Sequence, residues 1–327
     1  MNKPRKPQHA IRATVVVVPR ESFNMFPEVI EGVYQKTTPI FKMIVMEGNA
    51  PEVYRKRFRE MEKTLPNFQV VWSDRWSYPH ELVNQAIKLI DTEYVLFIDN
   101  DVEIMEGTVE ALIKAAEEEK VGCVHPIYLT ETLKNPNHKI HVAEGKLIRR
   151  KQNGYVFLDS VMPYSGTRLE EYPDRNRRRE SDYFEWHAVL FRKSLLEKIG
   201  PLDDLTIAEH IDYSLRLQKA GERIILEPRA VGAYDYERIF ELRGGDRAYM
   251  LYRWDVERAA QSLEKFRKNW NLHPSSTARR LYWAKEHTGK VRHTFILPRV
   301  INKVRRTVGL PNMPYCREPK PSVLTAD

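Results

Sequence analysis

Asp99 and Asp101 close the run YVLFIDND, in which five apolar or aromatic residues from Tyr94 to Ile98 end in two carboxylates one residue apart. A short run rich in β-branched and aromatic side chains reads as a strand buried on both faces. Carboxylates at the end of such a strand repel each other and lose hydration, so this strand end is expected to hold something positive. Strand alternation puts Asp99 and Asp101 on one side and Asn100 opposite. Two hard oxygen ligands at that spacing suit Mn2+ or Mg2+. A cation there reverses the local sign, welcomes a pyrophosphate and stabilises charge on a departing phosphate oxygen. The plain alternative is a pair of acids opening a solvent-exposed turn.

A second group lies in the segment AEHID. Glu209 and Asp212 are three residues apart in a helical pattern and so share a face. His210 is turned about 100° from Glu209. Each of the three can accept a proton from a reacting hydroxyl, and an imidazole does so near neutral pH. Asp212 also stands four residues before Arg216, which offers it a purely structural partner.

These residues need a scaffold, and the chain supplies alternating strand-like and helix-like runs from residue 13 to 125. ATVVVVP, FKMIVMEGN, FQVVWSD, YVLFIDND and VGCVHPIYL read as strands, with FPEVIEGVYQKT, PEVYRKRFREMEKTL, HELVNQAIKLID and GTVEALIKAAEEEK as the helices between them. Such alternation predicts a parallel sheet covered by helices on both faces, with ligands beyond the carboxyl ends of the strands. From about Pro126 to Asp182 the pattern is irregular and reads as an insertion or acceptor-facing segment, with a solvated basic run RNRRRE. Regularity returns with FEWHAVLFRK, KSLLEKIG, LTIAEHIDYSLRLQKAG and ERIILEPRAVGAY, and the chain beyond Tyr236 reads as mostly helical. The expected organisation is a basic tail at 1–12, a catalytic domain at 13–236 divided near residue 125, a helical basic extension at 237–308 and a Pro-rich tail at 309–327.

Composition bounds the class. The chain has 327 residues, 42% hydrophobic and 30% charged, enough to bury a core without staples. Nine Lys/Arg against one acid between Arg279 and Arg306 account for the whole net charge of +8. The basic excess is therefore local, which favours an anionic surface or ligand near the C-terminus and gives no expectation of nucleic-acid binding. HTFILPRVINKVRRTVG reads as a basic amphipathic helix that either packs on the domain or lies peripherally on an anionic membrane. No run is long and apolar enough for a bilayer. Two cysteines, Cys123 and Cys316, make no disulfide framework or metal-ligand spacing. The expectation is a cytoplasmic protein, with peripheral contact at the inner face of the membrane.

Taken together, the segments TVVVVPRESF, IVMEGNAPE, ELVNQAIKLIDTEYVLFIDND and WHAVLFRKSLLEKIGPLDDLTIAEHIDYSLRLQKAGERIILEPRAV resemble the GT-A fold glycosyltransferases, especially family 2, over about Ala13 to Tyr234. The resemblance implies a Rossmann-like α/β fold, a mostly parallel sheet flanked by helices, here with a helical C-terminal extension. It implies a metal-dependent transfer of sugar from a nucleotide-diphosphate donor, UDP-linked, to a hydroxyl of a carbohydrate or lipid-linked acceptor, with inversion. Surface polysaccharide or glycolipid synthesis is the setting it suggests. Pro19, Arg20 and Glu21 fall in the loop that cradles the nucleotide, Glu47 (or Gly48) at the base-recognising acid, and Asn84 at a recurring Asn. Asp99 is implied on the ribose or metal and Asp101 as the main metal contact. Trp186 and His187 would face the acceptor, and a core role for Trp186 is the alternative.

The chain departs from the pattern twice. The usual Asp base is replaced by His210, which leaves the base open among Glu209, His210 and Asp212. Tyr234 stands where a metal-binding histidine is expected, with Asp235 as a substitute. These departures sustain a rival reading as a non-catalytic sugar-nucleotide-binding protein. A nucleotidyltransferase is disfavoured, because PRESFNMFP lacks the Gly-rich loop such enzymes use.

Overall fold

The structure is a computed structural model that describes residues 11–38, 41–236, 238–293 and, within 304–308, all but residue 306. Most of the basic amphipathic segment near 293–309, the tail at 1–10 and the Pro-rich tail lie outside the described residues.

The expected alternation is present. Strands β1 (Ala13–Val18), β2 (Lys42–Met46), β3 (Phe68–Val71) and β4 (Tyr94–Asp99) alternate with helices α1 (Phe26–Lys36), α2 (Glu52–Thr64) and α3 (Pro79–Ile87). A short β5 (Val102–Ile104), helix α4 (Thr108–Glu118) and β6 (Cys123–Thr130) follow. The irregular segment holds β7 (Lys139–Val142), the hairpin β8 (Lys146–Gln152) and β9 (Tyr155–Val161), and β10 (Arg179–Ser181). Then come β11 (Ala188–Arg192), α5 (Lys193–Ile199), α6 (Glu209–Lys219) and β12 (Ile224–Tyr234). Helices α7 (Asp246–Arg253), α8 (Val256–Asn269) and α9 (Ser275–His293) form the C-terminal region.

The main sheet runs β10-β12-β6-β11-β4-β1-β2-β3. The β4-β1-β2-β3 half is parallel, and β11 is antiparallel to both β4 and β6. A mixed strand at the centre needs no crossover helix, so β11 enters directly from the irregular segment.

Period-two alternation divides the core between the two faces. Val15 and Val17 pack with Phe26, Val29 and Phe58 of α1 and α2, while Val16 and Val18 pack with Leu82, Val83 and Ala86 of α3. The first core continues into Tyr249, Met250, Trp254, Leu263 and Phe266, so α7 and α8 close the same apolar layer. The basic run is solvated only in part: Asn176 and Arg177 are exposed, whereas Arg178 bridges Glu118 at 2.7 Å and Glu227 at 2.7 Å and is largely enclosed. Among the described residues no helix is long and apolar enough to cross a membrane.

Candidate active site

The site begins where β4 runs out. Asn100 does not point idly away: its Oδ1 accepts the Arg20 amide at 2.9 Å and its Nδ2 donates to the Ser22 carbonyl at 2.7 Å. It thereby clamps the loop after β1 against the strand end. Asp99 and Asp101 are 3% and 1% exposed, and Oδ1 of Asp101 is enclosed with no hydrogen-bond partner. An orphaned buried carboxylate oxygen is costly, so this geometry suits a cation that would engage it.

The third member comes from the residue just before β11. The register pairs Ala188 with Ile98, and the Asp99 amide donates to the His187 carbonyl at 3.0 Å. This brings His187 Nδ1 to 3.2 Å from Asp99 Oδ2. Asp99, Asp101 and His187 each offer a ligand atom within 4.8 Å of the others. Burial and the neighbouring Asp99 charge push the Asp101 carboxyl up to about 7. At His187, burial opposes the charged ring, but the hydrogen bond and charge of Asp99 outweigh it and raise the imidazole. Two hard oxygens and one imidazole fit Mn2+ or Mg2+.

Arg20 ties this end to α6. Its Nη1 donates to Glu209 Oε1 at 2.9 Å, and its Nε lies 3.6 Å from Asp99 Oδ2. Burial alone would raise the Glu209 carboxyl, yet the charges of Arg20, His210 and Arg253 together outweigh it and hold it at about 2. The residue before Glu209 is strained: Ala208 has φ 67°, a left-handed conformation unfavourable for any residue with a Cβ. Such strain persists where surrounding structure holds it and commonly marks a functional position. Next to Glu209, His210 Nε2 stands 3.5 Å from Glu185 Oε1.

Residues 14–200 match the family model described as glycosyl transferase family 2. The chain belongs to that family. No curated protein matches it in sequence. Among solved structures, GalNAc-T7 with UDP, GalNAc and Mn2+ is similar at 13% identity and a TM-score of 0.56, over 96% of this chain and 62% of that one. The Pyrobaculum calidifontis mannosyltransferase PcManGT with GDP-Man and Mn2+ is similar at 15% identity and a TM-score of 0.52, over 94% of this chain and 83% of that one. The chain thus spans under two thirds of the length of the first of these structures. At such identities the likeness shows the fold, which is GT-A.

Within this family 2 chain the residues singled out from sequence divide. Arg20, Asp99, Asp101, His187, Glu209 and His210 gather at one end of the sheet. Pro19 and Glu21 are in the adjoining loop but face α7: the Pro19 carbonyl accepts the Tyr249 hydroxyl at 3.0 Å, and Glu21 accepts Trp254 Nε1 at 2.7 Å. Glu47 is consumed locally, accepting the amides of Asn49, Ala50 and Ser73 and pairing with Arg55 at 3.2 Å. The turn it fixes needs Gly48, where φ is +66° and a Cβ would meet Pro19 Cγ at 2.6 Å. Asn84 is doubly bonded to the Leu202 backbone and anchors the α5–α6 connection.

Three expectations meet a different arrangement. Trp186 is 4% exposed and, in the turn that leads into β11, packs among Phe97, Phe184, Phe191 and Tyr213. Asp212 accepts Trp270 Nε1 at 2.7 Å, while Arg216 donates to the Ile199 and Pro201 carbonyls instead of pairing with it. Tyr234 does not replace a ligand but stacks on His187 with ring centroids 4.6 Å apart, and Asp235 accepts the Arg238 amide. Sequence reasoning passed over Glu185. It stands two residues before His187 in the turn leading into β11, where no periodic pattern marks it.

Proposed function

We propose that the chain transfers a sugar from a nucleotide-diphosphate donor, UDP-linked, to an acceptor hydroxyl, with inversion at the anomeric carbon. The carrying observation is the convergence of Asp99, Asp101 and His187, with one Asp101 oxygen buried and unpartnered, at the carboxyl end of β4. Switch points beyond strand ends are where open α/β sheets bind ligands. The two similar structures are named with UDP and Mn2+, and with GDP-Man and Mn2+, which supports a divalent ion and a nucleotide donor here.

Asp99, Asp101 and His187 would hold the ion, which when bound supplies positive charge to offset that developing on the leaving diphosphate. The protein's own groups do the rest. Asn100 fixes the loop carrying Arg20, and Arg20 adds a permanent positive charge beside the acids. In a single displacement the acceptor oxygen bonds to the anomeric carbon as the bond to the diphosphate oxygen breaks. The hydroxyl proton must pass to a basic group near the start of α6.

The test is a panel of UDP- and GDP-sugars with Mn2+ and simple hydroxyl acceptors, assayed for released nucleotide and for the anomeric configuration of product. Release of UDP from one donor, absent in Asp101→Ala, supports transfer. Tight nucleotide binding without turnover would point to a non-catalytic binding protein.

A further inference from the structure

The hairpin of β8 and β9 stands outside the main sheet, and its outward face is unlike that of a solvated ribbon. Its turn is Asn153-Gly154, with φ of 50° and 78°, the pair of residues that closes a tight two-residue hairpin. Directly opposed residues share a face, so the register sorts the side chains. Leu147, Val156 and Leu158 turn inward. Leu158 is 2% exposed, and its amide donates to Ser276 Oγ at the start of α9 at 3.0 Å. Ile148, Tyr155, Phe157 and Val161 turn outward. An antiparallel ribbon with one face on the core ordinarily keeps polar residues on the other, yet this one is apolar on both. Ile148, Tyr155 and Val161 are 48%, 42% and 37% exposed, a grouping of open apolar side chains that marks an interaction surface.

The charge on the hairpin indicates what it faces. Between Lys146 and Val161 stand four Lys/Arg against one acid, Asp159, which pairs with Arg150 at 3.2 Å. All four cations are on β8, which among the described residues pairs in register only with β9. Cations along a free edge oppose strand pairing with a second copy, and like charges repel across a two-fold contact. A soluble polyanion would engage the cations but leave Ile148 and Val161 in water. An anionic bilayer uses both kinds of residue. Its phosphates meet Lys and Arg, its acyl boundary takes up the aliphatic side chains, and a tyrosine sits at the headgroup level.

We propose that the outward face of the β8–β9 hairpin docks the protein on an anionic phospholipid surface, with Ile148, Tyr155 and Val161 entering the interface and Arg150 and Lys151 meeting lipid phosphates. This contact is distinct from the basic segment beyond α9 to which the sequence pointed. The root of the hairpin adjoins the candidate site: the Gly145 carbonyl accepts the Asp182 amide at 2.7 Å, and the ring of His141, on β7, is 5.9 Å from that of His187. Docking there brings the site to the level of a lipid-linked acceptor, a consequence that rests on the transferase reading above. The docking itself does not.

The experiment is co-sedimentation of full-length protein with vesicles of phosphatidylcholine, alone or mixed with phosphatidylglycerol, with thermal melting as the control for folding. Wild type should bind the mixed vesicles and be released as salt is raised. Arg150→Gln combined with Lys151→Gln should weaken binding roughly 10–30-fold, since each basic residue near the surface is worth about fivefold. Ile148→Thr combined with Tyr155→Thr, which keeps strand-forming side chains, should weaken it at least about tenfold. Val53→Thr, an exposed apolar site on α2, should bind as wild type does. An environment-sensitive fluorophore on Tyr155→Cys, in a Cys316→Ser background, should shift to the blue only when mixed vesicles are added. Retained binding in both hairpin variants, or no binding of wild type to mixed vesicles, would overturn the proposal. A probe already shifted before vesicles are added would also overturn it, because another part of the chain or a second copy then covers the face. So would tight binding of soluble polyphosphate with no probe shift on vesicles. None of these readouts needs a donor, so failure to turn over any nucleotide sugar would sink the transferase reading while the docking is judged separately.

Discussion

Arg20 Nη1 lies 2.9 Å from Glu209 Oε1, a buried ion pair between the loop after β1 and the first residue of α6. The two residues are 189 positions apart, and both are largely shielded from solvent. One cation thus ties the acids at the end of β4 to the first residue of α6 in a single arrangement.

Glu209→Gln should therefore destabilise the fold at neutral pH by about 1–3 kcal/mol, because it removes the nearer of the two acids paired with Arg20. The Glu209 carboxyl is held at about 2 instead of 4.5, so its stabilisation is present above the higher value and lost as pH falls toward the lower. Urea unfolding of wild type and variant should show a gap at pH 7 that narrows as the pH is taken down through that window. A gap independent of pH would show that the pair is not what Glu209 contributes.

Asp101→Asn removes one of two adjacent buried acids whose repulsion helps push Asp101 up to about 7. The metal-free variant should melt at or above wild type. Its Mn2+ affinity in the presence of UDP, read by calorimetry, should fall by at least about 10-fold. His187→Ala should weaken the same binding. Unchanged affinity in both variants would place the ion elsewhere.

Trp186 is a core residue in this arrangement, with its ring edge-on to Phe97 and Phe184. Trp186→Ala should cost about 3–5 kcal/mol in stability, measured by denaturant unfolding. Trp186→Phe keeps the apolar contacts and should leave acceptor KM within about twofold. A large, selective rise in acceptor KM would return Trp186 to the acceptor site.

Asp212→Asn preserves an oxygen for the Trp270 indole. Stability should change by less than about 1 kcal/mol and turnover should persist. Asp212→Ala leaves the indole N–H without its acceptor and should cost about 1–3 kcal/mol. Both outcomes are read from melting curves alongside nucleotide release.

The strands and helices were legible because their signals are local. Val15 to Val18 alternate between two cores, and Tyr54, Phe58 and Met61 recur at helical spacing on an otherwise charged α2. Asp99 and Asp101 were legible for the same reason: an apolar run that ends in acids can be seen without knowing its neighbours. Glu47 and Asn84 were less so. Their side chains bond to nearby turns, and nothing in residue type distinguishes an acid that meets a ligand from one that satisfies three backbone amides.

The amino-acid sequence by itself determined the α/β alternation, the paired acids at the end of β4 and the acid–imidazole start of α6, because periodicity and adjacency along the chain are enough to state them. Only the tertiary structure decided which groups meet. The antiparallel register of β11 beside β4 carries His187 to Asp99, and the same strand-leading segment carries Glu185 to His210. The path of the loop after β1 sets Arg20 between Asp99 and Glu209. Those pairings depend on strand order and helix docking across more than a hundred residues of chain in the last case, and no local pattern encodes them.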